Sequence, residues 1–60
     1  MLTMKYMIKR LYKGDIEPMF DFSEFIGPTL EAVAIWLNDD DLINIEVWDG
    51  DKLVLDWEKE

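Results

Sequence analysis

Hydrophobic and polar positions alternate at both ends of the chain. Over residues 3–12, Met4, Tyr6, Ile8 and Tyr12 fall on one side and Thr3, Lys5 and Lys9 on the other. A period of two with aromatic and branched side chains predicts a strand. Arg10 interrupts its apolar side, and Met7 and Leu11 interrupt its polar side, so an end or a bulge is expected there. Lys13-Gly14-Asp15 reads as a turn. The second alternation is cleaner. Ile43, Ile45 and Val47 alternate with Asn44, Glu46 and Trp48; after Asp49-Gly50, Leu53, Leu55 and Trp57 alternate with Lys52, Val54, Asp56 and Glu58. This predicts a β-hairpin with strands near 42–48 and 51–58. A two-residue Asp49-Gly50 loop would pair Ile45 with Val54 and scatter the apolar set over both faces, because a one-residue slip turns a strand over. A three-residue loop, Trp48-Asp49-Gly50, with Gly50 left-handed, sets Ile45 opposite Leu53 and Glu46 opposite Lys52. A register pairing Val47 with Leu53 satisfies the same parity.

The middle of the chain follows another rhythm. Leu30, Val33, Ala34 and Leu37 stand at the i, i+3, i+4, i+7 spacing of one helical face, and Pro28 suits a first turn. A helix is expected near 28–38, with Trp36 off the buried stripe and Asn38 as a left-handed terminator. Residues 16–27 fit neither period. With Pro18 near one end and Gly27-Pro28 at the other, they read as a loop that tucks Phe20, Phe22 and Phe25 over the core. The expected fold is α+β: one domain over 1–60, a two-layer β-α-β-β arrangement with a three-stranded sheet packed on one helix. Lys5, Lys9, Glu46, Lys52, Asp56 and Glu58 would then lie on the outer sheet face.

Composition narrows the function. Sixty residues are at the lower edge of what a core can stabilise unaided, and such domains usually add a disulfide, a metal or a second chain. Cysteine and histidine are both absent, which leaves association as the remaining staple. The eight aromatic residues are a rich supply for so small an interior, so a homodimer is expected. The net charge of −8 is uneven: residues 1–13 carry +4 and residues 14–60 carry −12. That field opposes direct contact with nucleic acid or an anionic membrane and favours cationic partners. The longest uncharged run, residues 25–38, is broken by Glu31, and charges break the N-terminus before a signal-peptide core can form. A cytoplasmic location is the expectation.

Little in the chain suggests chemistry. Asp39-Asp40-Asp41 lacks the alternate spacing and closing glutamate of a calcium loop, and Asp49-Gly50-Asp51 is explained by a turn. Carboxylates are abundant, but a chain this short has little room for the pocket that would set two of them to different pKa values. Ser23 and Thr29 have no histidine to activate them. No enzyme and no cofactor are expected. Binding is assigned to Trp36 and Trp48, to Leu42 and Val54 as an apolar patch beside Trp48, and to Asp39, Asp40 and Asp41 as an acidic approach to a basic partner surface. A short, Cys-free, His-free, acidic chain with this compact layout resembles the small proteins that phages and mobile elements encode against host defences. The resemblance implies a protein inhibitor working in the host cytoplasm, and it transfers no functional residue. A small-molecule sponge with its ligand at a dimer seam, and a DNA mimic that occupies a nucleic-acid-binding enzyme, are the alternatives.

Overall fold

The computed structural model describes residues 2–60. Four strands and one helix follow in the order β1 (Met4–Tyr12), β2 (Met19–Phe25), α1 (Leu30–Leu37), β3 (Leu42–Asp49) and β4 (Lys52–Glu58). All four strands form one antiparallel sheet in the order β2-β1-β3-β4. The expected three-stranded β-α-β-β arrangement is therefore wrong: segment 16–27 contains β2, and the layout is β-β-α-β-β. The physical reason is the first turn. Gly14 takes a φ of 90°, and Asp15 N–H donates to the Tyr12 carbonyl at 3.0 Å, so the chain folds straight back along β1. Ladder bonds to β1 then fix Phe20 and Phe22 in a period that their own neighbours scarcely show.

Strands β2 and β3 both run antiparallel to β1, one on each side of it. They are parallel to each other, and a parallel pair needs a crossover. Helix α1 makes that crossing over one sheet face. Thr29 is its N-cap: the hydroxyl oxygen accepts from Ala32 N–H at 3.2 Å. Pro28 thus lies just outside the helix. Asn38 closes it at φ −74°, within the right-handed region, so the expected left-handed terminator is corrected.

The helix also buries a different stripe. Val33 is fully buried, with Trp36 and Leu37 packed on the core, while Leu30, Ala34 and Ile35 face outward. Val33, Trp36 and Leu37 have the same helical spacing as the expected set, turned about the axis. Within Leu30–Leu37 only Glu31 is polar, so periodicity could not choose between the two stripes. Arg10 decides it. Its guanidinium lies 5.6 Å from the Trp36 ring and 5.9 Å from that of Tyr12, and it donates to the Tyr12 hydroxyl at 3.1 Å. Trp36 thus covers a cation that β1 carries on its helix-facing side. The end or bulge expected near Arg10 and Leu11 is found just beyond them: the β1–β3 register shifts between Leu11 and Tyr12, where β1 ends.

The core is Tyr6, Ile8, Val33, Leu42, Ile45 and Val47. Phe25 stacks on Tyr6, with ring centroids 5.0 Å apart. The β3–β4 register pairs Ile45 with Trp57 and Val47 with Leu55, then shifts so that Trp48 meets Leu53 and Asp49 meets Lys52. A two-residue Gly50-Asp51 turn is thus compatible with apolar parity, because a bulge at Val54 absorbs the odd residue. The expected three-residue loop is replaced by turn plus bulge. Gly50 has φ 63° and no other residue of the turn has a positive φ, which is the requirement at the first position of a II′ turn.

Two outcomes follow for stability. Leu42→Ala should cost about 2–5 kcal/mol, against a total of about 3–9 kcal/mol for a domain this size. Thermal or urea unfolding should show a largely lost transition. Gly50→Ala meets open space, so only backbone strain of about 1–2 kcal/mol acts, and the same measurement should show a smaller shift.

Candidate protein-binding face

Helix α1 covers one face of the sheet; the other face carries no layer. Its composition follows from the ladder, since directly opposed residues share a face. Phe22 pairs with Met7, Met7 with Trp48, and Trp48 with Leu53. These four residues form an apolar row across all four strands, at right angles to them. The next row is Phe20, Lys9, Glu46 and Asp56. On the other side of the apolar row, Lys5 pairs with Glu24.

The row is exposed at its two ends, Phe22 and Leu53, and half-buried at Met7 and Trp48 between them, and Phe20 beside it is exposed too. Phe20 and Phe22 are 57% and 60% exposed, and Leu53 is 42% exposed. Lys5 Nζ stands 5.1 Å from the centre of the Phe22 ring. Trp48 is held in place: its Nε1–H donates to Glu46 Oε1 at 3.0 Å, and Glu46 Oε2 lies 3.6 Å from Lys9 Nζ. This Lys9–Glu46–Trp48 chain orients the half-buried indole. Beside it lies an open depression of about 350 Å³, lined by Met7, Lys9, Phe20, Glu46, Trp48, Gly50 and Asp51.

The residues assigned from sequence are not brought together. Trp48 alone belongs to the open face. Trp36 is on the opposite side of the sheet, over Arg10. Leu42 is fully buried in the core, and Val54 packs against that core at the bulge, so the expected patch of Leu42 and Val54 beside Trp48 does not exist. The break in alternation beside Tyr12, where the register shifts, is what turns Leu42 inward. Asp39, Asp40 and Asp41 are exposed but form the α1–β3 connection. Asp39 Oδ1 accepts from Asp41 N–H at 3.1 Å, the Asp40 carbonyl accepts from Lys59 Nζ at 2.6 Å, and the Asp41 carbonyl accepts from Lys13 N–H at 2.7 Å. They fold a corner of the molecule, away from the aromatic row.

Sequence reasoning missed Phe20, Phe22 and Met7. A signal for the first two was present: Phe20 and Phe22 alternate with Asp21 and Ser23 a few residues after the Lys13-Gly14-Asp15 turn. A further depression of about 550 Å³ lies at the start of the helix, lined by Thr3, Phe25, Ile26, Gly27, Thr29, Glu31 and Ala32. Among the described residues no group of three acids is placed to hold a metal ion, and no helix is long and apolar enough to cross a membrane. Compared with protein-family models, with curated proteins and with solved structures, the chain matches none.

The geometry makes a prediction about stability. Replacing Phe20 and Phe22 together by Ser should change unfolding free energy by about 1 kcal/mol or less, the strand-propensity range, because neither ring is in the core. Urea unfolding checks this; a loss of several kcal/mol would put the rings inside.

Proposed function

We propose that this chain is a non-enzymatic protein-binding module whose contact surface is the open sheet face. The observation that supports this most is the apolar row Phe22–Met7–Trp48–Leu53, half-buried at its centre and exposed at Phe22 and Leu53, with exposed Phe20 beside it. Large aromatic side chains at the centre of a patch contribute most to binding at protein interfaces. The helix's outer surface is also apolar, with Leu30 and Ile35 exposed on it and Ile26 exposed before it, but it offers no aromatic anchor. Both depressions are shallow and open to solvent, whereas a small ligand is normally enclosed over most of its surface. This favours a macromolecular partner over the sponge reading.

Charge then selects the partner. The chain carries −8, with Glu24 and Asp56 on the open face and Asp49 and Asp51 beside Trp48 at the turn. A partner with an apolar cleft and a basic rim fits. Such a rim raises the association rate and the selectivity more than it holds the complex. Lys5 and Lys9 lie in the middle of the face, and they break any phosphate-like array of carboxylates, which counts against DNA mimicry. Inhibition of a host defence protein is one role for such a module. It is the role that the resemblance in size and charge favours; the four-stranded layout lends it nothing.

Binding to a captured partner separates the readings. Phe22→Ala and Trp48→Ala should each weaken it by about 2 kcal/mol or more, roughly thirtyfold. Ile35→Ala, on the helix, should leave it unchanged. Asp39, Asp40 and Asp41 replaced by Asn should slow association modestly and flatten its salt dependence. Abolished binding in the Asp variant, with normal binding in both aromatic variants, would show that charge mimicry is the mechanism.

A further inference from the structure

The sheet has two edges, and they differ. Edge β4 carries the bulge at Val54 in its centre and Lys52 and Glu58 at its ends, devices that discourage further strand pairing. Edge β2 carries Asp21 and Glu24 but has no bulge, no proline and no lysine between Met19 and Phe25. Its outward groups can be identified. Phe22 N–H donates to the Asp21 carboxylate at 2.8 Å rather than into the ladder with β1. The backbone of Phe22 therefore points to the free edge, and by strand alternation so do those of Phe20 and Glu24.

We propose that β2 pairs antiparallel with β2 of a second copy, with the two-fold axis at Phe22. Strand, charge and face all fit this register. Phe22 opposes the partner copy's equivalent residue as a mutually hydrogen-bonded pair, and Phe20 opposes Glu24. Asp21 opposes Ser23, and Met19 opposes Phe25, so no acid faces an acid. A two-fold at Asp21 would oppose two carboxylates directly. In the Phe22-centred register the apolar rows of the two copies become one, running Leu53–Trp48–Met7–Phe22 and then its mirror order. That row crosses eight strands over about 34 Å, at about 4.8 Å per strand. Both helices stay on the same side, and the open face doubles without being covered. The Asp21 carboxylate competes for the Phe22 N–H. It must swing away, and its other oxygen already lies 3.7 Å from Arg10 Nη2. Seven paired residues a side are fewer than the roughly 20–30 of a standard interface, so the dimer is a weak, concentration-dependent one.

The absence of cysteine makes the register directly testable. Hydrogen-bonded antiparallel pairs have Cα atoms about 5.5 Å apart, but their Cβ atoms lie farther apart than the roughly 3.5–4.5 Å of a relaxed disulfide. A short bifunctional thiol cross-linker therefore reads the register better than direct oxidation. With a short bis-maleimide Phe22→Cys should give a covalent dimer rapidly. Glu24→Cys, on the same face but displaced two residues on each strand, should not. Light scattering of the unmodified chain should show mass rising toward twice the monomer with concentration, and Phe22→Lys should remove that rise while the fold is retained. Equal cross-linking of the two cysteine variants, or a monomeric mass throughout, would overturn the proposal. These readouts need no other partner, so they stand or fall separately from the binding reading.

Discussion

One eight-residue helix must cover a four-stranded sheet, and the rest of the structure depends on that mismatch. The helix is about 12 Å long. The sheet is about 14 Å wide and its strands about 23–30 Å long. A single helix therefore covers part of one face and none of the other. The covered part holds the whole core: Tyr6, Ile8, Leu42, Ile45 and Val47 from the sheet and Val33 from the helix. Arg10 extends this layer where apolar contact ends, placing a cation between Tyr12 and Trp36. Its Nε is buried without a hydrogen-bond partner, so this extension carries a cost.

What the helix does not cover becomes the molecule's available surface. The exposed side is not a generic polar sheet face. Its central row is apolar and its charges flank that row, with Lys9 and Glu46 paired at 3.6 Å. Contiguous apolar exposure of this kind on a small domain marks interaction surfaces. The free β2 edge lies at one end of the same row. The proposed pairing with a second copy would therefore extend this row and share Phe22 with it.

The local signals in the sequence identified β1, the helix and both strands of the second hairpin, because each carries its own period. The failure at 16–27 came from a strand stabilised by its neighbour. Phe20, Asp21, Phe22 and Ser23 alternate for too few residues to read alone, and their partner strand lies on the far side of a six-residue connection. The site was harder to read than the fold. Leu42 and Val54 lie where the register shifts, so parity counted from their neighbours gave each the wrong environment. Trp36 was misplaced because a helix apolar on nearly every side has no periodicity to read. Trp48 was legible because it closes a clean alternation at a turn.

The helix buries one sheet face, while Phe20 and Phe22 on the other stay in solvent in the free domain. Nuclear magnetic resonance with a soluble paramagnetic probe measures this residue by residue. In dilute solution the account predicts strong relaxation enhancement at the rings of Phe20 and Phe22 and protection at Ile8, Ile45 and Val47. Protection of Phe20 and Phe22 equal to that of Ile45 in the monomer would contradict it, because the rings would then belong to the core and the open face would not exist.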